Sequence, residues 1–120
     1  RRANSLPENL GADDVLHYRF DGWALDTRLR QLLSPAGVLV DLSGAEYKIL
    51  HTLLEHPNRV LSRDQLLELT QRREAAVYDR AIDVQIGRLR RKLGDDPRAP
   101  KLIRTVRNEG YVLAAGVERE

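Results

Sequence analysis

The sequence of 120 residues has the length of one domain, and its 42% hydrophobic and 32% charged residues are typical of a folded globular protein. It has no cysteine, which excludes disulfides and thiolate metal sites and favours a reducing, cytoplasmic compartment. No apolar run approaches the roughly 18 residues of a membrane span. The net charge is only +2, but residues 72–107 carry 11 basic and 5 acidic residues. This concentration predicts a surface that binds a polyanion.

The first residues predict no regular structure. Residues 1–14 combine Pro, Gly, Asn and Ser with few apolar residues and no hydrophobic period, so we expect the tail of an interdomain linker. Because the chain starts at Arg1 and contains no methionine, we expect a fragment of a longer protein. We expect one domain over residues 15–115 and a frayed C-terminal tail over residues 116–120.

Short segments with strand character follow the linker. Leu16, Tyr18 and Phe20 alternate with polar residues, and Asp21-Gly22 is a hairpin turn by composition. The predicted strands are Leu16–Phe20, Trp23–Asp26, Leu29–Leu33 and Val38–Leu42. Together they predict a four-stranded antiparallel sheet with one covered face.

Two capping boxes then predict where the first and second helices begin. Ser43 precedes Glu46 by three residues, and Ser62 precedes Gln65 by three, the spacing at which each side chain reaches the other residue's backbone N–H. The first helix is predicted to run to about Glu55, and the second to fade near Thr70.

The third helical segment, Asp79–Leu93, is strongly amphipathic. On a 3.6-residue period its core stripe is Ile82, Ile86, Leu89 and Leu93. The opposite side carries Arg80, Val84, Gly87, Arg88 and Arg91, with Ala81, Gln85 and Lys92 along one flank. Such a helix can enter a DNA major groove, although a basic face can also be merely solvated. Asp79 is the predicted N-cap, and Gly94 the residue that ends the helix.

The last segments, 101–106 and 111–114, predict a β-hairpin around residues 107–110. An antiparallel sheet, three helices and a terminal hairpin together predict an α+β fold of the winged helix-turn-helix type. In that arrangement the third helix lies in the major groove, and the hairpin, or wing, reaches an adjacent minor groove.

Four stretches carry a family resemblance, namely LHYRFDGWALD, LVDLSGAEYKIL, DRAIDVQIGRLRRKL and IRTVRNEGYVL. From about Val15 to Ala115 the chain resembles the DNA-binding effector domain of OmpR/PhoB-type response regulators. SRDQLLELTQRRE and Gln85 resemble the branch closest to OmpR. The resemblance implies a promoter-binding transcription factor of a bacterial two-component phosphorelay, with an N-terminal receiver domain, a sensor kinase and RNA polymerase as partners. It also implies dimers on tandem half-sites, and a monomeric isolated domain.

The outward side of the third helix supplies most of the candidate DNA contacts. Arg88 lies mid-face and matches the family's base-contacting arginine, so we expect it at guanine. Val84, apolar on a charged face, suits a thymine methyl. Gln85 could contact either adenine or a phosphate. Gly87 either allows the helix backbone to approach the groove closely or has no special role. The full candidate set is Arg80, Ala81, Val84, Gln85, Gly87, Arg88, Arg91, Lys92, Thr105 and Arg107.

The remaining roles divide between the phosphates, the wing and the helix flanks. We expect Arg80 and Arg91 at phosphates, whereas Thr105 resembles the family's phosphate-binding hydroxyl. Arg107 resembles its minor-groove arginine, but Asn108-Glu109 follows where many members have glycine. We expect Asp83 to pair with a neighbouring arginine and Arg90 to be structural. Arg72, Arg73 and Glu74 match the region that touches RNA polymerase in some members, although they fit phosphate contacts or a solvated loop equally well.

Rival functions fit the sequence less well. The three histidines, His17, His51 and His56, are scattered, and no Gly-rich phosphate loop or paired acid–base motif is present, so we expect neither an enzyme nor a metal or cofactor site. A double-stranded RNA major groove is too narrow for the third helix. A winged-helix protein-interaction module that binds no DNA is the main alternative.

Overall fold

The computed structural model describes residues 15–71, 79–96 and 98–120. The elements in chain order are β1 (His17–Phe20), β2 (Trp23–Asp26), β3 (Gln31–Leu33), β4 (Leu39–Val40), α1 (Gly44–Glu55), α2 (Arg63–Gln71), α3 (Asp79–Lys92), β5 (Ile103–Val106), β6 (Gly110–Leu113) and β7 (Val117–Arg119). This order confirms the predicted winged helix-turn-helix, with β5 and β6 as the wing. The predicted linker, residues 1–14, lies outside the described residues.

The N-terminal sheet has five antiparallel strands, in the order β4-β3-β2-β1-β7. The fifth strand corrects the prediction of a frayed tail over residues 116–120, because Val117–Arg119 pairs with β1, Phe20 opposite Val117 and Tyr18 opposite Arg119. Backbone bonds from Leu16 and His17 to the Glu120 carbonyl extend this pairing. The segment has a single apolar residue and thus no alternating pattern that would predict a strand. It is held by the hydrogen-bonding edge of β1, by the packing of Val117 against the core, and by Arg119 Nη2, which donates to the Glu55 carbonyl at 3.0 Å.

The predicted third and fourth strands are shorter than expected. Residues 29–30 belong to a turn, since the Asp26 carboxylate accepts hydrogen bonds from the backbone N–H groups of Arg28 and Leu29 at 2.9 Å, and Arg30 has a φ of 54°. One face of the sheet is covered, as alternation predicted. Tyr18, Leu25 and Leu32 are fully buried.

Both predicted capping boxes are present. Ser43 Oγ accepts from the Glu46 N–H at 3.1 Å, and Glu46 Oε1 accepts from the Ser43 N–H at 2.9 Å. Ser62 and Gln65 make the same pair of bonds at the start of α2. These bonds satisfy N–H groups that have no partner inside the helix and so fix where each helix begins.

The core stripe of α3 is confirmed: Ile82, Ile86, Leu89 and Leu93 are at most 5% exposed. They meet apolar residues of α1 and the wing in one cluster. Gly94 ends the helix with a φ of 70°, and the N–H groups of Gly94 and Asp95 bond back to the carbonyls of Arg91 and Arg90. This Schellman pattern confirms the predicted stop. The prediction that Asp79 is the N-cap is wrong, because Asp79 already lies within α3 and an N-cap is the non-helical residue before a helix.

The wing is joined to the segment before α2 through a close backbone contact. Leu61 and Tyr111 exchange two backbone hydrogen bonds, of 2.8 and 2.9 Å. Beside them Gly110 has a φ of 143°, and a Cβ at that position would lie 2.0 Å from the Leu61 carbonyl oxygen. A glycine is therefore required here, both for the backbone conformation and for the approach of the two chains.

Asp95 anchors the other end of the wing. It is 8% exposed, and its carboxylate accepts hydrogen bonds from the backbone N–H groups of Lys101, Leu102 and Ile103 at 2.8–3.2 Å. A buried carboxylate needs such donors. The side chain thus fixes the path from the end of α3 into β5.

Replacing this carboxylate should destabilise the fold. Asp95→Asn leaves one acceptor oxygen and points an amide N–H₂ at backbone donors, so we expect a loss of about 2–3 kcal/mol in the free energy of unfolding. Urea denaturation measures the loss. Asp96→Asn is the control, because the Asp96 carboxylate is exposed and, among the described residues, accepts only from the Arg98 N–H. Equal effects of the two substitutions would contradict the anchoring role.

Candidate nucleic-acid interface

The side of α3 opposite its core stripe is exposed and positively charged. Val84 is 51% exposed, and Arg88 and Arg91 are exposed beside it. Neither arginine side chain has a hydrogen-bond or ion-pair partner within the described residues. With 14 residues, α3 is about 21 Å long, enough to lie across a major groove roughly 12 Å wide.

An ionic clamp holds the flank of α3 that faces the wing and α2. Arg63 of α2 binds Asp83 of α3 with two bonds of 3.0 Å, Nε to Oδ1 and Nη2 to Oδ2. Tyr111 of β6 donates its hydroxyl to the same carboxylate. The predicted pairing of Asp83 with an arginine is therefore confirmed, and the clamp joins three elements through one carboxylate.

The clamp shifts the protonation equilibria of its members. Burial alone would raise the pKa of Asp83, but the hydrogen bonds from Arg63 and Tyr111 outweigh it and hold this pKa below the usual value. Burial, with the hydrogen bond to Asp83, raises the pKa of Tyr111 to about 12. At neutral pH Asp83 therefore stays charged and Tyr111 stays a donor.

Arg90 joins α3 to the first strand of the wing. Its Nε donates to the Ile103 carbonyl at 2.9 Å, and its Nη2 donates to Thr105 Oγ1 at 2.7 Å. The guanidinium also lies 5.7 Å from the ring centre of Tyr111. The prediction that Arg90 is structural is confirmed. Because Arg90 uses Thr105 only as an acceptor, the exposed Thr105 hydroxyl keeps its own proton to donate.

Lys92 has a different environment from the one we predicted. Its ammonium donates to the Asp41 carbonyl at 2.7 Å and to Glu46 Oε1 at 2.5 Å, because its flank of α3 packs against the start of α1. Lys92 therefore links α3 to α1, and its predicted contact with DNA stays a prediction. Burial would raise the pKa of Glu46, but the hydrogen bonds from Lys92 and the Ser43 N–H outweigh it and lower this pKa.

Glu46→Gln should make the domain less stable in a pH-dependent way. Because folding lowers the Glu46 pKa, the stabilisation by its charged form is present above the ordinary glutamate value of about 4.3 and is lost as the pH falls through the lower folded value. We expect the variant to be about 1–3 kcal/mol less stable at neutral pH. The difference should shrink in acid.

Urea denaturation at a series of pH values measures this difference. Glu118→Gln, on exposed β7, is the control and should change stability by less than about 0.5 kcal/mol. A gap between wild type and Glu46→Gln that stays constant into strong acid would contradict the assignment.

The other predicted site residues are distributed as follows. Thr105, Arg107 and Asn108 are exposed on the wing, and Asn108 at its tip has a φ of 65°. Gln85 is partly buried, on the flank that carries Lys92. A Cβ at Gly87 would meet nothing within 4 Å, so packing inside the domain does not require this glycine. The side chains of Arg80 and Ala81, and the predicted polymerase contacts Arg72, Arg73 and Glu74, lie outside the described residues.

The sequence did not reveal the roles of Arg63, Tyr111 and Asp95. Arg63 and Tyr111 lie 20 and 28 positions from Asp83, so no local spacing connects them.

None of the helices in the described ranges combines the length and the hydrophobicity of a transmembrane span. The same ranges bring together no group of three or more potential metal ligands.

Comparisons with known proteins agree with this geometry. The family described as "Transcriptional regulatory protein, C terminal" matches residues 37–113. The chain is 46% identical over 112 residues to the regulatory protein VirG of Agrobacterium tumefaciens, an alignment that covers 93% of this chain and 42% of VirG. It is 42% identical over 104 residues to the transcriptional regulatory protein GltR of Pseudomonas aeruginosa, covering 87% and 42%. The chain thus spans about two fifths of the length of these curated relatives.

Solved structures give the same picture. The DNA-binding domain of Klebsiella pneumoniae RstA, in complex with the RstA box, superposes with a TM-score of 0.72 at 37% identity, covering 82% of this chain and 96% of that one. The C-terminal effector domain of BfmR from Acinetobacter baumannii has a TM-score of 0.69 at 40% identity, covering 83% and 91%.

Proposed function

This chain belongs to the OmpR/PhoB-type family of C-terminal DNA-binding domains of transcriptional regulators, and from that membership we propose how it binds DNA. In our proposal α3 lies in the major groove of a promoter and the β5–β6 wing lies at the adjacent minor groove. The observation that carries the proposal is the exposed side of α3, where the Arg88 and Arg91 side chains have no hydrogen-bond or ion-pair partner within the described residues.

Each exposed group has a role in this arrangement. Arg88 contacts guanine, the commonest specific contact of an arginine in the major groove, and Val84 contacts a thymine methyl. Arg91 and the free proton of the Thr105 hydroxyl contact phosphates. Arg107, at the wing tip, lies at the minor groove, where a narrow A·T-rich stretch attracts arginine. The roles of Gln85 and Gly87 stay predictions.

The whole protein adds partners that this domain does not contain. We propose an N-terminal receiver domain, phosphorylated by a sensor kinase in the cytoplasm, and contact with RNA polymerase at the promoter. Two domains would occupy tandem half-sites about one helical turn apart. The isolated domain would be monomeric until DNA brings two copies together.

Selection of bound sequences from a random pool of duplex DNA tests the proposal. We expect one enriched half-site, repeated at about 10–10.5 base-pair spacing. Affinity for the selected duplex should fall linearly with the logarithm of salt concentration, with a slope near −0.9 per phosphate contact. A domain that retains no duplex even at low salt would contradict DNA binding and favour a protein-interaction module.

A further inference from the structure

A surface trough is lined by Arg90 of α3, by Arg104 and Thr105 of β5, by the loop that precedes β5 and by Ala114, the residue that follows β6. Among the described residues its lining has four cationic side chains, Arg90, Arg98, Lys101 and Arg104, and no carboxylate. We propose that this trough holds the DNA phosphate strand that separates the two grooves, and that Arg98, Lys101 and Arg104 extend the phosphate contacts along it. The inference rests on the proposed function.

Three cations of the trough differ from the fourth. Arg98, Lys101 and Arg104 are exposed, and their side chains have no hydrogen-bond or ion-pair partner among the described residues. Arg90, in contrast, is engaged with the Ile103 carbonyl and Thr105. The three positive charges of Arg98, Lys101 and Arg104 are therefore not neutralised by the described residues. The phosphates of a DNA strand would supply the opposite charge.

The trough is continuous with the proposed interface. A domain with α3 in the major groove and its wing at the adjacent minor groove straddles the phosphate strand between the two grooves. Both elements line the trough, α3 through Arg90 and the wing through Arg104 and Thr105, and Thr105 is itself a proposed phosphate contact. A strand bound at Thr105 that continues along the trough passes Arg104 and Lys101.

Removing the charges should reduce the salt dependence of binding without changing base preference. The probes are the duplex selected above and an arbitrary duplex of equal length. For Lys101→Gln/Arg104→Gln the slope of log affinity against log salt should become shallower by about 1.8, and adding Arg98→Gln should bring the change to about 2.7. Affinity at 0.1 M salt should fall at least about tenfold on both duplexes.

The matched control is Arg19→Gln/Arg28→Gln. It removes two exposed cations, one on β1 and one in the turn between β2 and β3. This variant should keep the wild-type slope. Circular dichroism checks that every variant is folded, as expected for exposed side chains. An unchanged slope in the triple variant, or an equal change in the control, would refute the trough proposal while wild-type binding stands. Failure of the wild type to bind any duplex would instead refute the proposed function.

Discussion

Arg88→Ala is expected to weaken binding to the selected duplex by about 1–3 kcal/mol and to relax the preference at one base position. A guanidinium that bonds both acceptors of guanine discriminates against the other bases, whereas alanine reaches none of them. The fold should be unaffected, since the Arg88 side chain is exposed and has no hydrogen-bond or ion-pair partner within the described residues.

Fluorescence anisotropy titrations against the selected duplex, and against a panel with each base pair replaced in turn, measure both effects. Arg91→Ala, one turn along the same face, is the matched control: it should weaken binding to every duplex by a similar factor and make the salt slope shallower by about 0.9. If Arg88→Ala also weakened all duplexes equally, its assignment to a base would be wrong. A changed base preference in Arg91→Ala would likewise overturn its assignment to a phosphate.

Gly110→Ala is expected to have the largest effect on stability. The new Cβ would lie 2.0 Å from the Leu61 carbonyl oxygen, and the φ of 143° is unfavourable for any residue with a side chain. Relieving the clash requires separating Leu61 from Tyr111 and losing their two backbone hydrogen bonds. We expect a loss of about 3–5 kcal/mol, with a melting temperature lower by roughly 10 °C or more.

Gly87→Ala is the control for the glycine substitution. A Cβ at Gly87 meets nothing within 4 Å, and alanine favours a helix interior over glycine by about 0.5–1 kcal/mol. Thermal unfolding followed by circular dichroism should therefore show opposite shifts for the two variants. A Gly110→Ala domain as stable as the wild type would show that the wing does not depend on this close contact. DNA affinity of Gly87→Ala separately tests a close approach of this helix to the groove.

The sequence predicted the features that depend on local patterns. The stripe from Ile82 to Leu93, the capping boxes at Ser43 and Ser62, and the stop at Gly94 each require only residues within one or two turns of each other, and all are present. The order of the elements then left few topologies for so short a chain, and the winged arrangement is one of them.

Features that depend on distant partners escaped prediction. Lys92 and Arg91 are neighbours with similar chemistry, and it is the positions of the Asp41 carbonyl and Glu46, 51 and 46 residues earlier, that engage Lys92 inside the domain. The clamp at Asp83 also depends on distant residues. The sequence predicted an arginine partner for Asp83, but the packing of α2 and the wing against α3 determines that this partner is Arg63 and that Tyr111 joins it. Pattern alone therefore locates the exposed face and cannot identify which of its cations are free.

The pairing of β7 with β1 brings the two ends of the described chain together, with the Leu16 N–H bonded to the Glu120 carbonyl at 2.9 Å. A chain cut after Ala115 would leave the outer edge of β1 without a neighbour, and its bare N–H and C=O groups would offer a template to a strand of another molecule. We therefore expect a domain that lacks residues 116–120 to self-associate more readily than one whose sheet ends at the short, charged β7.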